Sequence, residues 1–419
     1  MIGLGYHIIR HLIINIFWKG MVVKMKRKYF GIMALSLALI CSSVTATVTS
    51  AYEPDRAKAS YATPARANVD EKNMSRIGNY SYCLIRNKTA AKIYVNSGTE
   101  KTGVIPTKIN GIPVKEIGCV DSDVKWEKLI VSDGIEVIDA KAFMGLSHLK
   151  EICIGKDVEY IGEYAFPRGR KLTKITGGQN IKFLGRGAFA ECYGITKLPA
   201  FVKTNKNCVY GQAIFMKAKG LRNVVVPRTM KYTVATFKNC DQLKTARVEG
   251  VGYKPNKQKW KTMTNTAVNR AMFKNCRKLQ KVTLTNNITH LNEQIFANCI
   301  RLKKVNIPTQ CRYIGEGAFL NCKSLQKVTV SKKCKVIGKS AFLRCSNLKK
   351  VNIPKGCRTI GPLAFGKCKN LRSLYVPKTV KNIDQWAFYG SKNLTLTVDK
   401  GSAAEKFAKK YGMKYRYKS

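Results

Sequence analysis

Acid is what this sequence most lacks. Its 419 residues carry 24 Asp and Glu against 76 Lys and Arg, a formal net charge of +52 at pH 7. The shortage is sharpest late in the chain, where Ala297 to Leu396 hold 21 Lys and Arg and two acids, Glu316 and Asp384. Paired carboxylates for acid–base work therefore find no footing there. Histidine is rarer still, with His7 and His11 near the start and only His148 and His290 in the body of the chain. There is no C-x-x-C pair, and no H-E-x-x-H, Walker loop, G-x-S-x-G or G-x-G-x-x-G in a suitable setting. No enzyme active site, metal site or cofactor site is expected. Long apolar runs are missing too. Leu12 to Trp18 and Tyr29 to Ile40 both fall short of the roughly 20 residues that span a bilayer as a helix.

What is present is enough apolar material for a core, 45% of all residues, under an unbalanced cationic surface. Such a charge repels itself and attracts polyanions at long range, most strongly at low salt. Met25-Lys26-Arg27-Lys28 followed by Tyr29 to Ile40 and small residues up to Ala51 has the order of a signal peptide. We read residues 1–51 as a leader with its core signal at 25–51, cleaved rather than kept as an anchor. The bulky Leu39-Ile40 before Cys41 disfavours a lipoprotein signal. Residues 52–78, rich in Ala, Lys, Arg and Asn, read as a flexible linker.

Aligning the chain on itself reveals a repeat. Leu302-Lys-Lys-Val-Asn-Ile-Pro308 recurs from Leu325, Leu348 and Leu371, each time followed by an Ile-Gly-like pair and then by a small residue and Phe. The marker Phe stands at 143, 166, 189, 215, 237, 273, 296, 319, 342, 365 and 388, in steps of 23 apart from 26, 22 and 36. Leu-x-x-Val-x-Ile alternates as a half-buried strand does, Pro ends it, and a second apolar pair returns the chain to Ala-Phe. One unit cannot cover its own apolar face, so neighbours must stack. Phe296, Phe319, Phe342, Phe365 and Phe388 are the expected core ladder.

The unit L-x-x-V-x-I-P-x-x-V-x-x-I-G-x-x-A-F-x-x-C resembles the BspA-like leucine-rich repeat. The resemblance covers residues 79–415, with Ile105 to Gly118 similar to the family's opening cap and Gly401 to Gly412 to its closing cap. It implies a β-rich α/β solenoid, a right-handed leucine-rich-repeat superhelix of about eleven coils. The expected organisation is an N-terminal cap and first repeat at 79–124, the array at 125–398 and a C-terminal cap at 399–419. It also implies an extracellular or surface protein that binds host or matrix components and does no chemistry. In the closing cap, Ser402 reads as the N-cap of a short helix with Phe407 inward and Gly412 just past its end.

The cysteines follow the repeat. Cys276, Cys299, Cys322, Cys345 and Cys368 stand three residues after the marker Phe, and Cys311, Cys334 and Cys357 form a second ladder. Packing as small buried hydrophobes is the favoured reading, over scattered disulfides or metal. The basic residues also form columns. Lys281, Lys304, Lys327 and Lys350 share one strand position, and Arg312, Lys335, Arg358 and Lys381 share one position on the return. Stacking them costs stability unless salt or a polyanion screens them, which makes them candidate ligand-binding residues; a solvated lysine face is the alternative. The 36-residue step marks an insertion near 250–269 whose Tyr253 and Trp260, set among lysines, offer a stacking site if the loop is more than surface decoration. The expected protein is a secreted, adhesive monomer. Its partner would be a host or matrix protein or glycan, or an anionic wall polymer, with extracellular nucleic acid or a purely structural spacer as the weaker readings.

Overall fold

A computed structural model describes residues 74–230, 233–249 and 270–419. The leader, most of the expected linker and the insertion at 250–269 with Tyr253 and Trp260 lie outside the described residues. The described chain falls in one compact unit, a β-solenoid of about 13 turns with coils of about 23 residues and little helix.

Each full coil has three sides. A strand of up to four residues, such as Lys281–Leu284, pairs in parallel with its counterpart one coil on. A two-residue strand, such as Tyr313–Ile314, does the same on the return. Hydrogen-bonded turns carrying Ala-Phe close the third side. The period-two pattern is plain in the first of these strands, where Lys281 and Thr283 are exposed and Val282 and Leu284 are buried. Inward residues of both strands and the Phe turns share one continuous core.

Ring stacking runs the length of that core. Consecutive marker rings from Phe143 to Phe388 lie 4.8 to 6.0 Å apart between centroids, all stacked. Phe237 and Phe273 stack at 5.7 Å across the 36-residue step, so the core passes the insertion without a gap. The 26-residue step behaves differently. Residues 195–200 form no strand, and a single helical turn, Phe201–Thr204, buries Phe201 and Val202 instead.

The cysteines of both ladders are unbridged. Cys276, Cys299, Cys322, Cys345 and Cys368 donate their thiols to the backbone carbonyl of the Phe 26 residues earlier, or 39 for Cys276, at 3.1 to 3.2 Å. In the last coil Ser391 takes the same role, its hydroxyl donating to Phe365 O at 2.7 Å. Each carbonyl that takes a thiol also accepts the amide of the Cys three residues on, so the thiol from the next coil fills its second lone pair. Burial pushes Cys240 and Cys368 up to about 12, away from thiolate chemistry.

Both ends are closed. Ser75–Ile77 and Tyr80–Ile85 form a hairpin whose two-residue turn puts Gly78 at φ 53°. The end of the expected linker is therefore corrected: residues 75–77 are an edge strand, made by that Gly-first turn. At the other end the helix Ala403–Lys410 is capped by Ser402, whose hydroxyl accepts from Glu405 N, and its Phe407 meets Phe388 edge-on at 5.7 Å. No described helix is long and apolar enough to cross a membrane.

Candidate functional site: two cation columns

The first column sits on the outer face of the longer strands. Strand register places Lys281 beside Lys304 and Lys327 beside Lys350, and all four are exposed. Between the second and third no strand pairing is formed; in the second coil the Asn306 side chain turns back to Leu284, its amide donating to the carbonyl and its oxygen accepting from the amide. Asn352 does the same to Val330.

The second column lies just before the short strands. There the backbone itself climbs coil by coil, with Arg312 N donating to Thr289 O, Lys335 N to Arg312 O, Arg358 N to Lys335 O and Lys381 N to Arg358 O at 2.7 to 3.0 Å. Its four side chains are also exposed. The structure thus keeps each column together but places the two on different sheets. They do not form a single site. Tyr253 and Trp260 lie outside the described residues and join neither.

The same two columns look different in the first half of the array. On the longer strands the series there reads Lys128, Glu151, Lys174 in register, with Lys174 Nζ 2.8 Å from Glu151 Oε1. The hydrogen bond from Lys174 holds the Glu151 carboxyl below its usual range, and the lysine is raised in return. Before the short strands, Lys115 pairs with Glu136 at 2.9 Å and Lys182 with Glu159 at 2.6 Å. Each of these acids has a lysine one coil away, while Glu136 and Glu159 themselves stand in adjacent coils.

In the second half the columns lack such acids. Residues 270–419 contain five acids, and each has another partner. Glu293 meets Arg270, Glu316 meets Lys339, and Glu405 meets Lys409. Asp384 accepts from Trp386 N, and Asp399 from Tyr375 and Lys378 N. Among the described residues none of the eight column cations makes an ion pair. Sequence reading missed this contrast, although the signal was there: acids stand 23 residues from lysines in the early coils and are missing from the same positions later.

Two further features escaped the sequence. Asn239, Asn275, Asn298 and Asn321 form a side-chain amide chain with steps of 2.7, 2.7 and 2.9 Å. In the last coil, Trp386 and Tyr389 are 52% and 53% exposed and meet edge-on at 5.6 Å. Among the described residues no group of three or more His, Cys, Asp or Glu could hold a metal ion.

The family profile of the BspA type leucine rich repeat region matches residues 119–244 and 266–395 in six copies. No match was found among curated proteins. Solved structures similar to this chain include a leucine-rich repeat protein from Bacteroides ovatus, 18% identical over 82% of this chain and all of that one, with a TM-score of 0.47. A leucine rich cell surface protein from Faecalibacterium prausnitzii is 19% identical over 80% of this chain and 96% of its own, with a TM-score of 0.40. The pneumococcal vaccine antigen PcpA is 16% identical over 83% of this chain and 99% of its own, with a TM-score of 0.41. The stacked Phe coils and the matched span together settle the lineage: this chain belongs to the BspA-type leucine-rich-repeat family.

Proposed function

We propose that this is a secreted or cell-surface binding protein that adheres to an anionic polymer, a wall polymer or a host or matrix glycan, through the cationic second half of its array. One observation carries this reading. Eight exposed cations stand in two columns without an ion pair, on a scaffold whose earlier coils neutralise the same positions. Like charges about 5 Å apart oppose folding, and a bound polyanion removes that opposition. The repeat family and the signal-like segment from Met25 to Ala51 support export.

The test is binding of the chain to immobilised heparin, teichoic acid and mucin at about 50 and 200 mM salt, with duplex DNA beside them. Retention on a glycan or wall polymer at the lower salt, weakened at the higher and reduced by Lys→Gln changes in the columns, is expected. Failure to bind any of the three at the lower salt would sink the reading. Tight binding to DNA alone would shift it to a nucleic-acid matrix protein.

A further inference from the structure

We infer that the second half of the array holds two linear polyanion strands at once, one on each column, and so acts as a cross-linker rather than a single-site binder. The inference rests on the polyanion reading above and adds the number and placement of its sites.

The geometry separates the columns. Lys281 alternates with buried Val282 and Leu284, while Leu291 and Ile314 of the short strands point into the same core. Val328 with Ile337, and Leu374 with Ile360, repeat the arrangement in later coils. The hydrophobic core therefore lies between the two sheets. Packed sheets are about 10 Å apart before outward side chains are added. A polymer one chain wide, lying along one column, stays on that face, and exposed Lys332, Lys355 and Lys378 mark the turn between the two.

Both columns run along the solenoid axis. Four cations stacked at strand spacing cover about 15 Å, and this suits a linear polymer with a charge on every unit or two. The two faces are not copies of each other. The first is all lysine, bordered on its strands by Thr283, Asn306, Thr329 and Asn352. The second alternates Arg and Lys, and guanidinium adds a fork that grips sulfate, phosphate or carboxylate through two parallel hydrogen bonds. The shared ligand chemistry is a linear chain of such groups, whether sulfated glycan or wall polyphosphate.

The acids leave no other way to use these cations within the fold, since all five in residues 270–419 are already engaged. Nor can one column borrow the other's counter-charge, because both are positive. Each face is thus left to salt ions or to an external polyanion of its own.

The experiment counts ligands. A heparin fragment too short to fold back between faces is titrated into the full chain at low salt, and stoichiometry is read by sedimentation. A parallel arm uses a poly(glycerol phosphate) fragment, and whichever gives saturable binding identifies the source. Two fragments per chain are expected. The variant K281Q/K304Q/K327Q/K350Q should take one, as should R312Q/K335Q/R358Q/K381Q, and the eightfold variant, which keeps Lys332, Lys355 and Lys378, should show no saturable site. In a sandwich assay, chain held on a heparin surface should capture labelled heparin from solution, and either fourfold variant should lose that capture at least tenfold while staying on the surface. Lysine-to-arginine changes in the first column should keep both sites, which controls for folding. One fragment on the unaltered chain, or two on either fourfold variant, overturns the cross-linking inference alone. No binding of either fragment to the unaltered chain overturns the polyanion reading with it.

Discussion

Phe342→Ala tests whether the ring ladder holds the coils together. Phe342 is fully buried and stacks between Phe319 at 5.2 Å and Phe365 at 5.3 Å, nearly parallel to both. Removing a buried ring of this kind costs about 3–5 kcal/mol, and aromatic pairing contributes about 0.5–1.5 kcal/mol for each stack beyond burial. In a one-dimensional array such a loss falls on the interfaces of one coil rather than on the whole chain. Phe388→Ala is the internal control, because that ring has one stacked neighbour at 6.0 Å and an edge contact from Phe407. Guanidinium unfolding read together with amide exchange along the chain separates the two outcomes. Phe342→Ala should lower stability by at least about 3 kcal/mol and expose amides of the coils from roughly 319 to 365 first, with Phe388→Ala milder and confined to the cap. A loss below about 1 kcal/mol, or protection lost evenly from residue 74 onward, would refute the argument.

The cysteine ladder gives a sharper chemical test. Cys345→Ser should be tolerated because Ser391 already makes the equivalent bond, whereas Cys345→Ala leaves Phe319 O with the Cys322 amide alone and should cost about 0.5–1.5 kcal/mol by denaturant titration. Glu405 is held down to about 2 by hydrogen bonds from Lys409, Tyr417 and Gly401 N. Since its folded value lies below the unfolded one, the stability it supplies is fully present above about pH 4.5 and lost as pH falls toward 2; Tyr fluorescence of the closing cap should follow that window and Glu405→Gln should flatten it. Gly103→Ala should unfold the N-terminal cap first, because a Cβ there would land inside the Trp126 ring; unchanged exchange at 102–131 would count against it. Lys304→Glu with Lys350→Glu copies the early alternation of Lys128, Glu151 and Lys174 onto the first column. It should raise the melting temperature at low salt, close the gap near 1 M, where the Debye length is about 3 Å, and weaken polyanion binding.

The core was legible because the repeat is written in residue types. A Phe, a small residue and a Cys at fixed offsets identify buried positions without knowledge of the coil path, and the structure buries Phe296, Cys299, Phe319 and Cys322 completely. Backbone geometry was not legible. Each Phe turn is flanked by left-handed residues, and these are Gln294 and Asn298 in one coil but Leu363 and Lys367 in another, at φ 53–61°. Asn239, Asn275, Asn298 and Asn321 carry a signal at the second of these positions, but Leu363 and Lys367 carry none. The strand gap at 195–200 was legible, since in Ile195-Thr-Lys-Leu-Pro199 the Pro follows two positions earlier than in Leu302 to Pro308 and cuts the strand short. At the candidate site the columns could be read, but their placement on separate sheets required the fold.

Repetition also explains why the cations stand out. A 23-residue unit copied many times fixes what lies inward, since any departure breaks contacts on both sides, but leaves the outward positions free to drift. Drift under selection for stability alone should favour alternation, because opposite charges directly across a ladder stabilise and like charges destabilise. The early coils obey this, through Lys174 with Glu151 and Lys182 with Glu159. The late coils violate it in two columns at once, through eight positions. On the function proposed above, a repulsion repeated in register on two faces is balanced from outside the chain, and an anion on each face is the simplest counterweight that the chemistry of Lys and Arg allows.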